Sequence, residues 1–188
     1  MVSRYHPALV VLHWFLALFI IAALALGALV LVKMPNTNPM KIEALRSHMT
    51  GGMAILVLML IRLAIRSQTA HPAPAGAGHP ILDQIAWASH RMFYGTVVLM
   101  AGSGIVMALQ TGLFETVFAG HGNLPADFWA FPVRTIHYVV SRVLMALIAL
   151  HVVAAFYHAF VLRDGLLRRM FFGRRTVTTA PASSSAKV

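Results

Sequence analysis

The stretch IHYVVSRVLMALIALHVVAAFYHAFVL, residues 136–162, holds 27 residues with no acid and a single arginine, Arg142. As an α-helix rising 1.5 Å per residue it would be about 40 Å long, more than the roughly 30 Å hydrocarbon core of a bilayer. Working outward, residues 9–32, 48–65 and 85–109 are comparably apolar. The whole chain is 59% hydrophobic and 11% charged, a balance suited to lipid rather than water. The expected fold is all-α: an integral membrane four-helix bundle forming one domain over residues 1–175. Residues 176–188, rich in Thr, Ser and Ala, are expected to be a disordered tail.

The first span follows a short segment with one arginine, Arg4, as a secretory signal would. Its apolar run is longer than a signal core, so it is expected to be retained as a membrane span. Residues 33–46 read as a short connector broken by Pro35, Asn36, Asn38 and Pro39, and residues 67–80 as an extended linker rich in Pro, Ala and Gly. Residues 112–132, with Phe114, Phe118, Phe128, Trp129 and Phe131, read as a loop docked at the membrane interface.

The formal net charge is +10, which invites a nucleic-acid reading. The basic residues gather at span ends instead of on one soluble face, so no nucleic-acid partner is expected. One side of the membrane would carry Arg4, Arg62, Arg66, Arg91, Arg163, Arg168, Arg169, Arg174, Arg175 and Lys187, and the other Lys33, Lys41, Arg46 and Arg134. The positive-inside rule then puts both termini in the cytoplasm. Without cysteine, the chain can make no disulfide, thiolate metal site, iron–sulfur cluster or thioether-linked haem.

Ten histidines stand against five acids. On this topology His13 lies near the inner end of the first helix and His48 near the outer end of the second. His137 lies near the outer end of the fourth helix and His151 in its inner half. Depth therefore pairs His13 with His151 and His48 with His137. The fourteen-residue step from His137 to His151 returns within about 40° of the same helical direction, some 21 Å further along the axis. One face thus addresses two stacked sites, and each pair can clamp an iron from opposite sides. Double imidazole ligation closes the metal to oxygen chemistry and favours electron transfer. Zinc or di-iron sites need converging ligands, usually with carboxylates, which these spans lack.

Gly51, Gly52, Gly95, Gly102 and Gly104 would let a flat macrocycle approach the backbone, although close helix packing uses glycine equally well. His158 follows His151 by seven residues near the cytoplasmic interface, and His90 lies near the inner end of the third helix. Such residues can donate protons to a quinone, and equally can be interfacial histidines solvated by headgroups. Arg142 falls roughly 140° around the helix from His137 and about 180° from His151, so it is expected to face away from both irons. His6, His71, His79 and His121 read as surface residues.

These residues resemble the prokaryotic cytochrome b561 family over nearly the whole chain. The resemblance rests on His13-Trp14, on the His48 segment ending Leu-Met-Leu-Ile-Arg-Leu, and on His137 following Arg134. It continues through Leu150-His151, His158 and the Arg163-Asp164 exit. It implies a multi-pass protein of the bacterial inner membrane with two haem b groups, the inner on His13 and His151 and the outer on His48 and His137. It further implies ubiquinone as acceptor, with His158 and His90 at the quinone. The periplasmic donor it implies is superoxide, for whose anion Arg134, Lys41 and Arg46 would form a basic approach. Arg142 departs from the family pattern, which leads one to expect a neutral residue. The competing reading is a haem-carrying anchor subunit that relays electrons between a dehydrogenase or hydrogenase and the quinone pool. A haem-free membrane protein whose histidines serve packing or proton transport is the third.

Overall fold

The computed structural model describes residues 2–73 and 80–176. Four helices, α1 (Pro7–Leu31), α2 (Lys41–Gln68), α3 (Pro80–Gln110) and α4 (Pro132–Leu162), are each long and apolar enough to cross a bilayer. Among the described residues there is no β-strand. In the most apolar window of each helix no more than 17% of residues are buried within the protein. Leu18, Leu109, Val153 and Phe160 stand in the open on the helix flanks. Such a surface is compatible with lipid and incompatible with water.

The helix starts follow local chemistry. Pro7 and Pro132 occupy the first turns of α1 and α4, where a missing N–H costs nothing, and His6 caps α1 by accepting from the Ala8 N–H. The last turns of α1 (Leu26–Leu31) and α4 (Tyr157–Leu162) widen into π-helix. α4 stops because Arg163 and then Gly165 take left-handed backbone, at φ of 50° and 72°.

α2 begins at Lys41, so the connector expected at 33–46 ends with residue 40. The cause lies outside local propensity. Lys41 is buried, and its Nζ donates to the Leu31 and Met34 carbonyls, each at 2.6 Å, tying the end of α1 to the start of α2. Arg46 pairs with Glu43 one turn back and donates twice to the Val117 carbonyl across the bundle end. The Lys41→Met variant should lose about 2–4 kcal/mol of stability, because two carbonyls at a helix end lose a charged donor. Thermal unfolding in detergent measures this, and an unchanged midpoint would show the contact to be dispensable.

α1 packs chiefly on α2 and α3 on α4, with α2 against α3 between them. Leu16 of α1, Ile55 and Met59 of α2, Val97 of α3 and Leu144 of α4 form a buried apolar layer at mid-bundle. A second cluster, Leu45, Ala108, Leu113 and Val117, closes the end where residues 32–40 and 111–131 connect the helices, here the loop end. There the Asn36 side chain donates to the Pro125 carbonyl and joins the two connections.

At the other end, the termini end, Arg4 donates to the carbonyls of Arg168, Phe171 and Phe172. Arg175 donates to the carbonyls of Arg4 and Ala70, and Arg169 to that of Ala73. The N-terminal segment, the start of the α2–α3 linker and the chain after α4 are thereby clasped together. Residues 74–79, which include His79 and six of the fourteen residues of the expected linker, lie outside the described residues, as do 177–188 of the expected tail.

Candidate functional site

At the loop end, α2 and α4 bring His48 and His137 opposite each other, with ring centroids 6.2 Å apart and ring planes crossed at 76°. The His137 Nδ1 lies 3.0 Å from the Ser103 hydroxyl, which itself donates to the Met100 carbonyl at 3.0 Å. With that hydroxyl proton committed, the serine oxygen accepts from Nδ1–H, so the other ring nitrogen of His137, Nε2, carries the free lone pair. The His48 Nδ1 is buried without a hydrogen bond, the Ala23 carbonyl lying outside bonding geometry.

Two glycines set these rings. A Cβ on Gly27 of α1 would sit 3.4 Å from His48 Cε1, and one on Gly104 of α3 would sit 3.3 Å from His137 Cε1. Gly51, Gly52, Gly95 and Gly102 have open space where a Cβ would be. A cavity of about 420 Å³ opens here, lined by Gly27, His48, Gly52, Gly104 and His137 among others.

Towards the termini end, α1 and α4 bring His13 and His151 to the same spacing, 6.2 Å between centroids, with planes crossed at 66°. Trp14, whose indole N–H donates to the Met170 carbonyl, packs edge-on to His13, and Phe93 packs against His151. His90 approaches His151 to 5.8 Å and bonds the Ala86 carbonyl through Nδ1. His158 instead meets Asp164, with Nδ1 and Oδ2 2.5 Å apart. No contact in the structure joins His90 to His158. Desolvation is the largest single influence on the Asp164 carboxyl and raises its pKa. Together the bond from His158, the Leu166 N–H and the charges of His158 and Arg169 outweigh it and hold the carboxyl below its usual range.

Two imidazoles bound to opposite faces of one metal, at roughly 2 Å per metal–nitrogen bond and a little over 1 Å from nitrogen to ring centre, put their centroids about 6.3 Å apart. Both pairs stand at that spacing. Among the described residues no three His, Cys, Asp or Glu side chains converge as a metal cage. Two imidazoles alone do not complete a coordination sphere, and a planar macrocycle supplies the missing equatorial donors. Glycine-backed rings beside an open cavity therefore fit haem b at the loop end. The matching ring spacing fits it at the other site.

The basic residues at the loop end divide differently from the sequence expectation. Lys41 and Arg46 are spent on backbone carbonyls and Glu43, as described above, and do not form an open approach. Arg134 lines the cavity beside His137, with its guanidinium 4.5 Å from the centre of the Trp129 ring. Arg142 lines the same cavity and lies 4.7 Å from the centre of the Tyr138 ring, so it does not turn away from the loop-end site. A helical wheel places the Cα, while this long side chain reaches one turn towards the loop end and settles on an aromatic face. Gly27 and Ser103 escaped the sequence reading because their partners sit on other helices. A small or hydroxyl residue level with a histidine on a neighbouring helix is the signal that finds them.

A profile of the family described as prokaryotic cytochrome b561 matches residues 4–173. The probable superoxide oxidase CybB of Yersinia pestis is 27% identical over 131 residues, covering 68% of this chain and 74% of that protein.

Proposed function

Because this chain belongs to the prokaryotic cytochrome b561 family, we propose that it carries electrons from a periplasmic donor, superoxide foremost, through two bis-histidine haem b sites to ubiquinone. The family makes it a multi-pass membrane electron-transfer protein carrying b-type haem. The observation that supports the finer reading is the pair of imidazole clamps at one common spacing, both drawing a ligand from α4. The relative's name, superoxide oxidase, supports the donor.

Basic residues concentrate at the termini end, which supports a cytoplasmic termini end and a periplasmic loop end in a bacterial inner membrane. His48 and His137 would hold the outer haem, and His13 and His151 the inner one. When bound, each group stores one electron between ferric and ferrous iron. Arg134, at the cavity beside His137, presents the cation that an arriving anion meets. At the cytoplasmic end Asp164 orients His158 through Nδ1, leaving Nε2 to serve a quinone oxygen. His90 stands ready against His151. The balance is two superoxide anions, one ubiquinone and two protons giving two dioxygen molecules and one ubiquinol.

Stopped-flow mixing of the oxidised full chain with superoxide tests this. Haem reduction well above the rate of spontaneous dismutation is expected, followed by reoxidation when ubiquinone is present. Reduction no faster than background, or co-purification of a stoichiometric dehydrogenase or hydrogenase subunit, would overturn superoxide as donor in favour of the anchor reading.

A further inference from the structure

Arg62 is a cation that the electron path described so far does not use. It follows His48 by fourteen residues on α2, the same step that separates His137 from His151 on α4. It therefore shares the face of α2 that carries His48, about 21 Å nearer the termini end, at the depth of the His13–His151 pair. The guanidinium acts electrostatically on both His13 and His151, with Tyr94 and Tyr5 as its other neighbours besides Arg66. Its Nη1 is buried and makes no hydrogen bond.

A guanidinium in this setting needs an anion. Arg62 is half-buried, and an unpaired cation at this depth of a bilayer costs roughly 3 kcal/mol. Among the described residues no acid forms an ion pair with it. The chain's five acids sit in first helical turns or in connections, and the ion pairs among the described residues, Arg46–Glu43 and His158–Asp164, do not involve Arg62. The missing anion must come from what the site binds. The planar guanidinium fork matches a carboxylate. Haem b carries two carboxylates, its propionates.

We propose that Arg62 is a cofactor-binding residue, pairing with a propionate of the haem clasped by His13 and His151. α2 thus gives an iron ligand to one site and a carboxylate clamp to the other. The assignment rests on the haem reading above, and it adds a second function to that paired carboxylate. Held ionised beside a cation, the propionate contributes no proton exchange to the redox step.

Redox titration of the full chain, in a His137→Ala background that isolates the inner haem, is the test. Arg62→Gln should lower the midpoint potential, because a positive charge near the ferrous state is lost. It should also make the potential pH-dependent, because the freed carboxylate now titrates. With haem dimethyl ester, whose propionates cannot ionise, the new pH dependence should vanish. Arg62→Lys should fall between Gln and wild type. Unaltered potential and pH profile in Arg62→Gln would overturn the proposal. So would a pH dependence that survives in the ester, or loss of a bound phospholipid together with the potential shift, which would assign the anion to a lipid phosphate. Should the Gln chain not fold, an Arg62→Lys chain indistinguishable from wild type would also overturn it. A wild-type chain that binds no haem would overturn the haem reading as well. A wild-type chain that binds both haems, with an inner-haem potential and pH profile unaltered by Arg62→Gln, would overturn this proposal alone.

Discussion

His151→Ala should lower the haem b content of the purified chain from two per polypeptide to one, and His13→Ala should remove the same one. Under the proposed assignment each of these residues is half of a clamp on one iron, so losing either imidazole would leave the site with a single axial ligand. The double variant should lose no more haem than either single one. His48→Ala and His137→Ala should together remove the other haem by the same logic. Haem extraction with quantitation, and the reduced-minus-oxidised spectrum of the haem that remains, read the result. If His13→Ala and His48→Ala removed the same haem, the pairing by depth would be wrong.

Gly104→Val should empty the loop-end site with every ligand still in place. A Cβ there already meets His137 Cε1 at 3.3 Å, and the added methyl groups crowd the ring further. Crowding a packed site costs about 1–3 kcal/mol, which here weakens haem retention on the order of tenfold to a hundredfold. The inner haem should keep its spectrum. Gly51→Ala, where the structure leaves open space, is the control and should retain both haems. Equal retention in Gly104→Val and Gly51→Ala would show that the ring tolerates displacement.

The four spans and the register of α4 were legible because both follow from local regularities, apolar length and the repeat of 3.6 residues. Helix starts were less so. α2 begins at Lys41 because a buried ammonium satisfies carbonyls at the end of α1, a contact between segments ten residues apart that no propensity encodes. Within the site, the fourteen-residue step on α4 stands out because both its ends are histidines, while the identical step from His48 to Arg62 joins unlike residues and carries no such signal. Arg142 was misplaced because the wheel treats a side chain as a radial pointer, whereas arginine in lipid bends along the helix to find an aromatic face. Ser103 and Gly27 act across helices, and a single sequence carries no record of which residues lie level with one another.

The apolar layer of Leu16, Ile55, Met59, Val97 and Leu144 lies between the two imidazole pairs and contains no charged side chain. Under the proposed assignment an electron crossing it travels about 21 Å along the membrane normal, some two-thirds of a hydrocarbon core of about 30 Å. The transfer is then electrogenic. At about 2.3 kcal/mol per elementary charge per 100 mV across the full membrane, the step carries roughly 1.5 kcal/mol per 100 mV. A cytoplasm held negative opposes the inward electron, so an energised membrane slows this protein and a collapsed potential releases it.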